Sequence, residues 1–128
     1  MKFEHFALNV PNPIQMAEWY VRYLGMKIVL SQDAEPHARF LADETGRVVL
    51  EIYSNRAAPM PDHASIHHLN FHFAFAVKEA EETKAKLLAA GATYVEAVRP
   101  SDGSVIYMLR DPWGVPLQLC QRAKPFTS

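Results

Sequence analysis

Two histidines, a glutamate and a glutamine stand out for their chemistry and for their spacing. The segment HFALNV, His5 to Val10, returns 67 residues later as HFAFAV, His72 to Val77. The same step carries Glu51 in VVLEIY onto Gln118 in VPLQLC. Two imidazoles, a carboxylate and an amide oxygen suit a borderline divalent ion such as Zn, Ni, Co, Mn or Fe(II). A metal ion needs donors that converge from rigid elements, and facing positions on adjacent strands supply them. His5, Glu51, His72 and Gln118 are therefore the candidate metal ligands, between two halves of a duplicated chain. A lone histidine on a strand is more often structural than a ligand. Here all four positions are repeat-equivalent and have the parity to share one face.

The elements that must place these residues follow the same register. Gly25 in GMKIV matches Gly91 in GATYV, and Gly46 in DETGRVV matches Gly114 in DPWGVPL. In residues 3 to 10, Phe6, Leu8 and Val10 fall on one side of a strand and His5, Ala7 and Asn9 on the other. Asn12 followed by Pro13 reads as a capping side chain and a proline at the first helical position. Ile14, Ala17, Val21 and Leu24 recur at helical spacing, and Gly25 supplies a left-handed stop. Strands are expected near Lys27 to Ser31, Ala38 to Asp43 and Val48 to Tyr53. Module one, about residues 1–54, reads βαβββ.

The stretch SNRAAPMPDHASIH, Ser54 to His67, has two prolines and no sustained periodicity, and reads as a linker. His63, His67 and His68 sit in or beside it, where solvation is the default. Module two, 68–121, repeats the pattern: a strand from Asn70 to Val77, a helix from about Glu79 to Ala90 with a Glu82 to Lys86 pair, and strands near Thr93 to Val98, Ser104 to Arg110 and Pro116 to Gln121. The tail 122–128 carries no pattern. The whole is expected to be one domain, with Ala7 and Ala74 leaving room beside the histidines for a metal and a small molecule.

Composition narrows the partners. A chain of 128 residues with 49% apolar content fills one domain built of two modules, each marginal alone. A formal charge of -1 with dispersed basic residues gives no field for nucleic acid or anionic membranes. No apolar run is long enough to span a bilayer. Cys120 is the one cysteine, and MKFEHF has charges where a signal peptide needs an apolar core, so a cytoplasmic location is expected.

With HFALNV and HFAFAV opening the modules, YLGM at Tyr23 to Met26 and DPWGVPLQL at Asp111 to Leu119, the chain resembles the vicinal oxygen chelate superfamily. That superfamily takes in glyoxalase I, methylmalonyl-CoA epimerase, bleomycin and fosfomycin resistance proteins and extradiol dioxygenases. The resemblance covers nearly the whole chain. It implies an α+β fold of two βαβββ modules forming a partly open, eight-stranded barrel-like sheet, with metal ligands in the first and fourth strands of each module. Those positions are His5, Glu51, His72 and Gln118. The chain departs from the pattern at Gln118, where the D-P-x-G-x-x-x-E-L ending has glutamate. An amide oxygen can coordinate but cannot take a proton, which leaves Glu51 as the catalytic base. It also leaves a site of net charge about +1, less tightly bound and more Lewis-acidic.

These features lead to a metal-dependent enzyme of glyoxalase type, a lyase or isomerase working through a metal-chelated enediolate with Glu51 as general base. If Gln118 is not a ligand, His5, His72 and Glu51 form the two-histidine, one-carboxylate set of Fe(II) dioxygenases. From another class, a metal-free binding or drug-resistance protein would use the same cavity. A small-molecule substrate and a homodimer are the expected partners, since two modules leave sheet edges to cover. Cys120 is expected to be a buried hydrophobe. Tyr53 is balanced between substrate contact and rim packing. Arg39, Arg56, Arg99 and Arg110 are expected at the surface, and Trp19, Tyr20 and Tyr23 as helix anchors.

Overall fold

The computed structural model describes residues 1–126, so of the tail 122–128 the last two positions lie outside the described residues. In chain order it contains β1 (Phe6–Asn9), α1 (Pro13–Leu24), β2 (Lys27–Ser31), β3 (Arg39–Ala42), β4 (Val48–Tyr53), a 3-10 turn (His63–Ser65), β5 (Phe73–Ala76), α2 (Ala80–Ala89), β6 (Thr93–Val98), β7 (Val105–Arg110) and β8 (Pro116–Gln121). The chain divides into two compact units, Met1–Pro61 and the remainder from Asp62. Each holds one βαβββ module. The α+β class and the module order are as expected. The eight strands hydrogen-bond as two four-stranded sheets, ordered β1-β4-β3-β2 and β5-β8-β7-β6.

In the first unit β1 lies parallel to β4, and β4-β3-β2 run antiparallel. Pro13 opens α1, but the Asn12 side chain makes no capping bond, and its carbonyl takes the first helical bond from Met16 N at 2.9 Å. Gly25 ends the helix at φ 69°, the left-handed conformation that glycine enters without steric cost. The buried stripe of α1 is Pro13, Met16, Ala17 and Tyr20, joined by Trp19. That is an i, i+3, i+4, i+7 face shifted from the expected one, and Val21 is exposed. A methionine and a tyrosine bury more apolar area than Ile14 and Val21, so they win the core side. Leu41, Leu50 and Ile52 complete this core.

The second unit repeats the arrangement with β5 parallel to β8 and β8-β7-β6 antiparallel. Its core is Ala80 and Leu87 of α2 against Tyr107, Leu109, Leu117 and Leu119. Each fully buried leucine contributes about 2 kcal/mol of transfer free energy. A polar cluster ties the helix down as well. The Tyr107 hydroxyl bonds to Glu81, Arg99 Nη2 donates to it at 3.0 Å, and Lys84 pairs with Glu81 at 3.0 Å and lies over the Tyr107 ring.

The same turn joins the last two strands of each unit. Gly46 N donates to the Asp43 carbonyl and Gly114 N to that of Asp111, at 3.0 and 2.9 Å, with φ of 83° and 86°. Asp111 adds side-chain bonds from Trp113 N and Val115 N, so the DPWG motif builds a turn. Only Gly114 is crowded: a Cβ there would meet Ala64 Cβ at 2.8 Å, whereas one on Gly46 meets open space.

Candidate functional site

Strand pairing fixes where the candidate donors fall. Ala7 is the partner of Glu51 in the first unit, and Ala74 is the partner of Gln118 in the second. The two ladders are thus in the same register. His5 and His72 each lie two residues before the alanine, on its face, and one residue before the strand begins. Leu50 and Ile52 point to the helix side, so Glu51 points away from it, and the alternation puts His5 on that side too. The same parity sets Gln118 opposite the buried Leu117 and Leu119.

Within the first unit His5 and Glu51 meet. His5 Nε2 is 3.3 Å from Glu51 Oε1, both side chains being partly buried, and the Phe40 ring stands edge-on to the imidazole. His5 Nδ1 lies 2.8 Å from Glu4 Oε1. A carboxylate can only accept at each ring nitrogen, Glu4 at Nδ1 and Glu51 at Nε2, so a neutral ring with its hydrogen on Nδ1 leaves Nε2 bare toward Glu51. In the second unit His72 Nδ1 is 2.9 Å from the His68 carbonyl, which likewise can only accept. Both histidines are therefore held at Nδ1, with Nε2 as the donor atom. This is how metal-binding imidazoles are usually oriented.

Gln118 is half-buried, and its Oε1 accepts from the Cys120 thiol at 3.0 Å. Burial raises the Cys120 pKa above its ordinary value, outweighing nearby Arg122, so the sulfur stays a protonated donor. Cys120 is the buried residue expected, with a role in fixing the glutamine amide. Asn9, on the face of His5, is spent on structure: its side chain exchanges two bonds with the Asn55 backbone, extending the ladder past Tyr53.

The donor types in each unit, an imidazole and a side-chain oxygen, suit a divalent ion. His5 Nε2 and Glu51 Oε1 lie 3.3 Å apart, a spacing that a proton or a cation between them would satisfy. That separation is also about the edge of a tetrahedron with metal–ligand bonds of roughly 2.0–2.1 Å. Among the described residues no three or more His, Cys, Asp or Glu side chains group together as a metal cluster. Each unit carries one candidate imidazole and one candidate oxygen donor.

Several side chains expected in solvent are not there. His68 and His63 are buried, at 8% and 3% exposure, and His68 Nε2 pairs with Glu96 Oε1 at 2.9 Å. Arg39 is buried and bonds the carbonyls of Gln32, His37 and Ala38. Arg110 gathers those of His63, Ile66 and Gly114, which packs the 3-10 turn onto β7 and β8. Trp19 and Tyr20 are buried on α1 as helix anchors. The glutamate partner of His68 carries no local sequence signal, because 28 residues separate the two.

The duplicated βαβββ units define the class. The chain belongs to the Glyoxalase/Bleomycin resistance protein/Dioxygenase superfamily, whose family model matches residues 2–119. Among solved structures it resembles a lactoylglutathione lyase from Agrobacterium tumefaciens at 19% identity and TM-score 0.67, covering 94% of this chain and 92% of that one. The antibiotic-binding protein TnmS3 from a Streptomyces species superposes at 16% identity and TM-score 0.71, covering 96% and 97%. A glyoxalase I mutant from Zea mays gives 24% identity and TM-score 0.72, covering 96% of this chain and 46% of that one. These likenesses show the fold. No curated protein sequence matches the chain, and no helix among the described residues is long and apolar enough to cross a membrane.

Proposed function

We propose that this protein is a metal-dependent small-molecule enzyme of glyoxalase type, a lyase or isomerase, in which His5, Glu51, His72 and Gln118 hold one divalent ion. The observation that carries this reading is the shared register: one imidazole presented through Nε2 and one oxygen donor per module, with Ala7↔Glu51 matching Ala74↔Gln118. A bound ion supplies Lewis acidity toward a substrate with two vicinal oxygens. His5 and His72 contribute neutral donors, their rings steadied at Nδ1. Glu51 is the ionisable member of the oxygen pair, so removal of a proton from the substrate carbon and its return both fall to this carboxylate. Gln118 accepts the Cys120 thiol hydrogen and takes no proton. Small Ala7 and Ala74 beside the donors leave space for substrate.

Metal analysis of the purified protein tests the reading, with stoichiometry expected to fall in both His5→Ala and His72→Ala. Unchanged stoichiometry in the two variants would remove it. A screen with hemithioacetals, acyl-CoA thioesters and catechols then identifies the reaction, and Glu51→Gln is expected to lower turnover by about 10²- to 10⁴-fold.

A second reading has its own support. Because Gln118 Oε1 is already engaged by Cys120, His5, His72 and Glu51 would make the three-donor set of an Fe(II) dioxygenase. Oxygen consumption with catechols separates the two enzymes. Ligand binding without metal would identify a sequestering protein instead. The working unit in this proposal is a homodimer, supported by the exposure of Ile28, Val29 and Leu30 along the edge strand β2, and the proposed location is the cytoplasm. Sedimentation across micromolar concentrations checks this.

A further inference from the structure

The segment before β5 is fastened to the far side of its own sheet. β5 and β6 are the two edges of the order β5-β8-β7-β6, yet His68, just ahead of β5, reaches Glu96 on β6 through a 2.9 Å bond. Glu96 lies in one cross-strand row with Met108, Gln118 and Ala74, the row of the candidate donor. The His68 ring is held on a second side by His67, stacked at 4.3 Å and 22°. His67 is itself set by the turn, taking Leu69 N on Nδ1 and Asn70 N on its carbonyl. The carbonyl of the pinned His68 receives His72 Nδ1–H.

Resting on the reading of His72 as a ligand, we propose that Glu96 and His68 are positioning residues that fix the tautomer and aim of the His72 imidazole. The chain of cause is short. Glu96 satisfies the Nε2–H of a ring that is otherwise buried, and an unsatisfied buried donor is costly enough to drive the ring out. When the ring leaves, the peptide that carries the His68 carbonyl leaves with it. His72 then loses its acceptor, and a free imidazole favours the hydrogen on Nε2, the atom that must be bare to coordinate. The first module has no such device: the cross-strand row of Ala7 and Glu51 ends at Leu30 where that of Ala74 and Gln118 ends at Glu96, and the position 67 residues before His68 is Met1. There the exposed Glu4 side chain does the orienting.

The test compares Glu96→Ala with Glu96→Gln, whose amide oxygen can still accept from His68. The Glu96 side chain is 46% exposed on an edge strand, so either variant is expected to fold. Imidazole nitrogen NMR of the metal-free protein reads the His72 tautomer directly, assigned by comparison with His72→Ala. Expected is a largely Nδ1–H ring in wild type and Glu96→Gln, a tautomer mixture in Glu96→Ala, and Co(II) affinity about tenfold weaker in Glu96→Ala alone. An unchanged His72 tautomer in Glu96→Ala overturns the proposal, as does a Glu96→Gln protein as impaired as Glu96→Ala. Wild-type protein that takes up no Co(II) would instead remove the metal reading, while the tautomer comparison still decides the positioning role.

Discussion

His5 in the first module is steadied by Glu4, a side chain 81% exposed to water, whereas His72 in the second is steadied by the main chain of His68, whose ring is buried against Glu96. The helices differ in the same sense. α1 docks through apolar Met16, Ala17 and Tyr20, while α2 adds the polar knot of Glu81, Lys84, Arg99 and Tyr107. One backbone plan thus tolerates two supporting chemistries, because the plan is set by ladder register and turn geometry. What differs is how firmly each histidine is held.

The comparison breaks most visibly at the two turn glycines. Gly114→Ala must place a Cβ against Ala64 as well as adopt positive φ, and is expected to lose about 3 kcal/mol in denaturant unfolding. Gly46→Ala carries only the left-handed penalty, about 1 kcal/mol. Equal losses would mean that the Ala64 contact carries no energy.

At the donors, Gln118→Glu makes the second module match the first in charge, and metal affinity is expected to rise roughly tenfold by calorimetry. An affinity equal to wild type would show that residue 118 does not touch the ion.

Acid should act on the second module. Glu81 is held below its ordinary value of 4.5, by the Tyr107 hydrogen bond first and by Lys84 next. Between the folded and unfolded values the unfolded chain binds more protons, so this contribution is full above about pH 4.5 and lost as the pH falls through the folded value. Glu81→Gln is expected to flatten the stability–pH curve below that point, and an unchanged slope would show the knot to be electrostatically idle.

The smallest effect is expected at Glu4. An exposed carboxylate orients His5 weakly, so Glu4→Ala should change Co(II) affinity by less than about threefold, against the larger change for Glu96→Ala. A loss as large as that of Glu96→Ala would erase the difference between the modules.

Much of the fold was readable from residue order. Val48–Tyr53, Thr93–Val98 and Pro116–Gln121 lie where alternation and turn signals place them, and α1 runs from Pro13 to its glycine stop. The first strands are shorter than expected and exclude both histidines, because β1 and β5 are edge strands with one partner each, whose ladders begin at Phe6 and Phe73. The candidate donors were found from the repeat, since two equivalent positions carry information that one histidine does not. What held them was hidden. His68 reads from sequence as a linker residue, and Arg39 and Arg110 read as solvated. Each is defined by a partner that local periodicity cannot reveal: a distant carboxylate for His68, and backbone carbonyls for the two arginines.

The matched ladders at Glu51 and Gln118 have a genetic consequence. Glutamine and glutamate codons differ by a single base, and position 118 keeps its neighbours Ala74 and Met108 whichever residue it carries. The charge of one half can therefore change in a single mutational step, with the main chain left as it is. A lineage built on this duplicated frame can move between one acidic residue and two at these positions while its fold stays under separate selection.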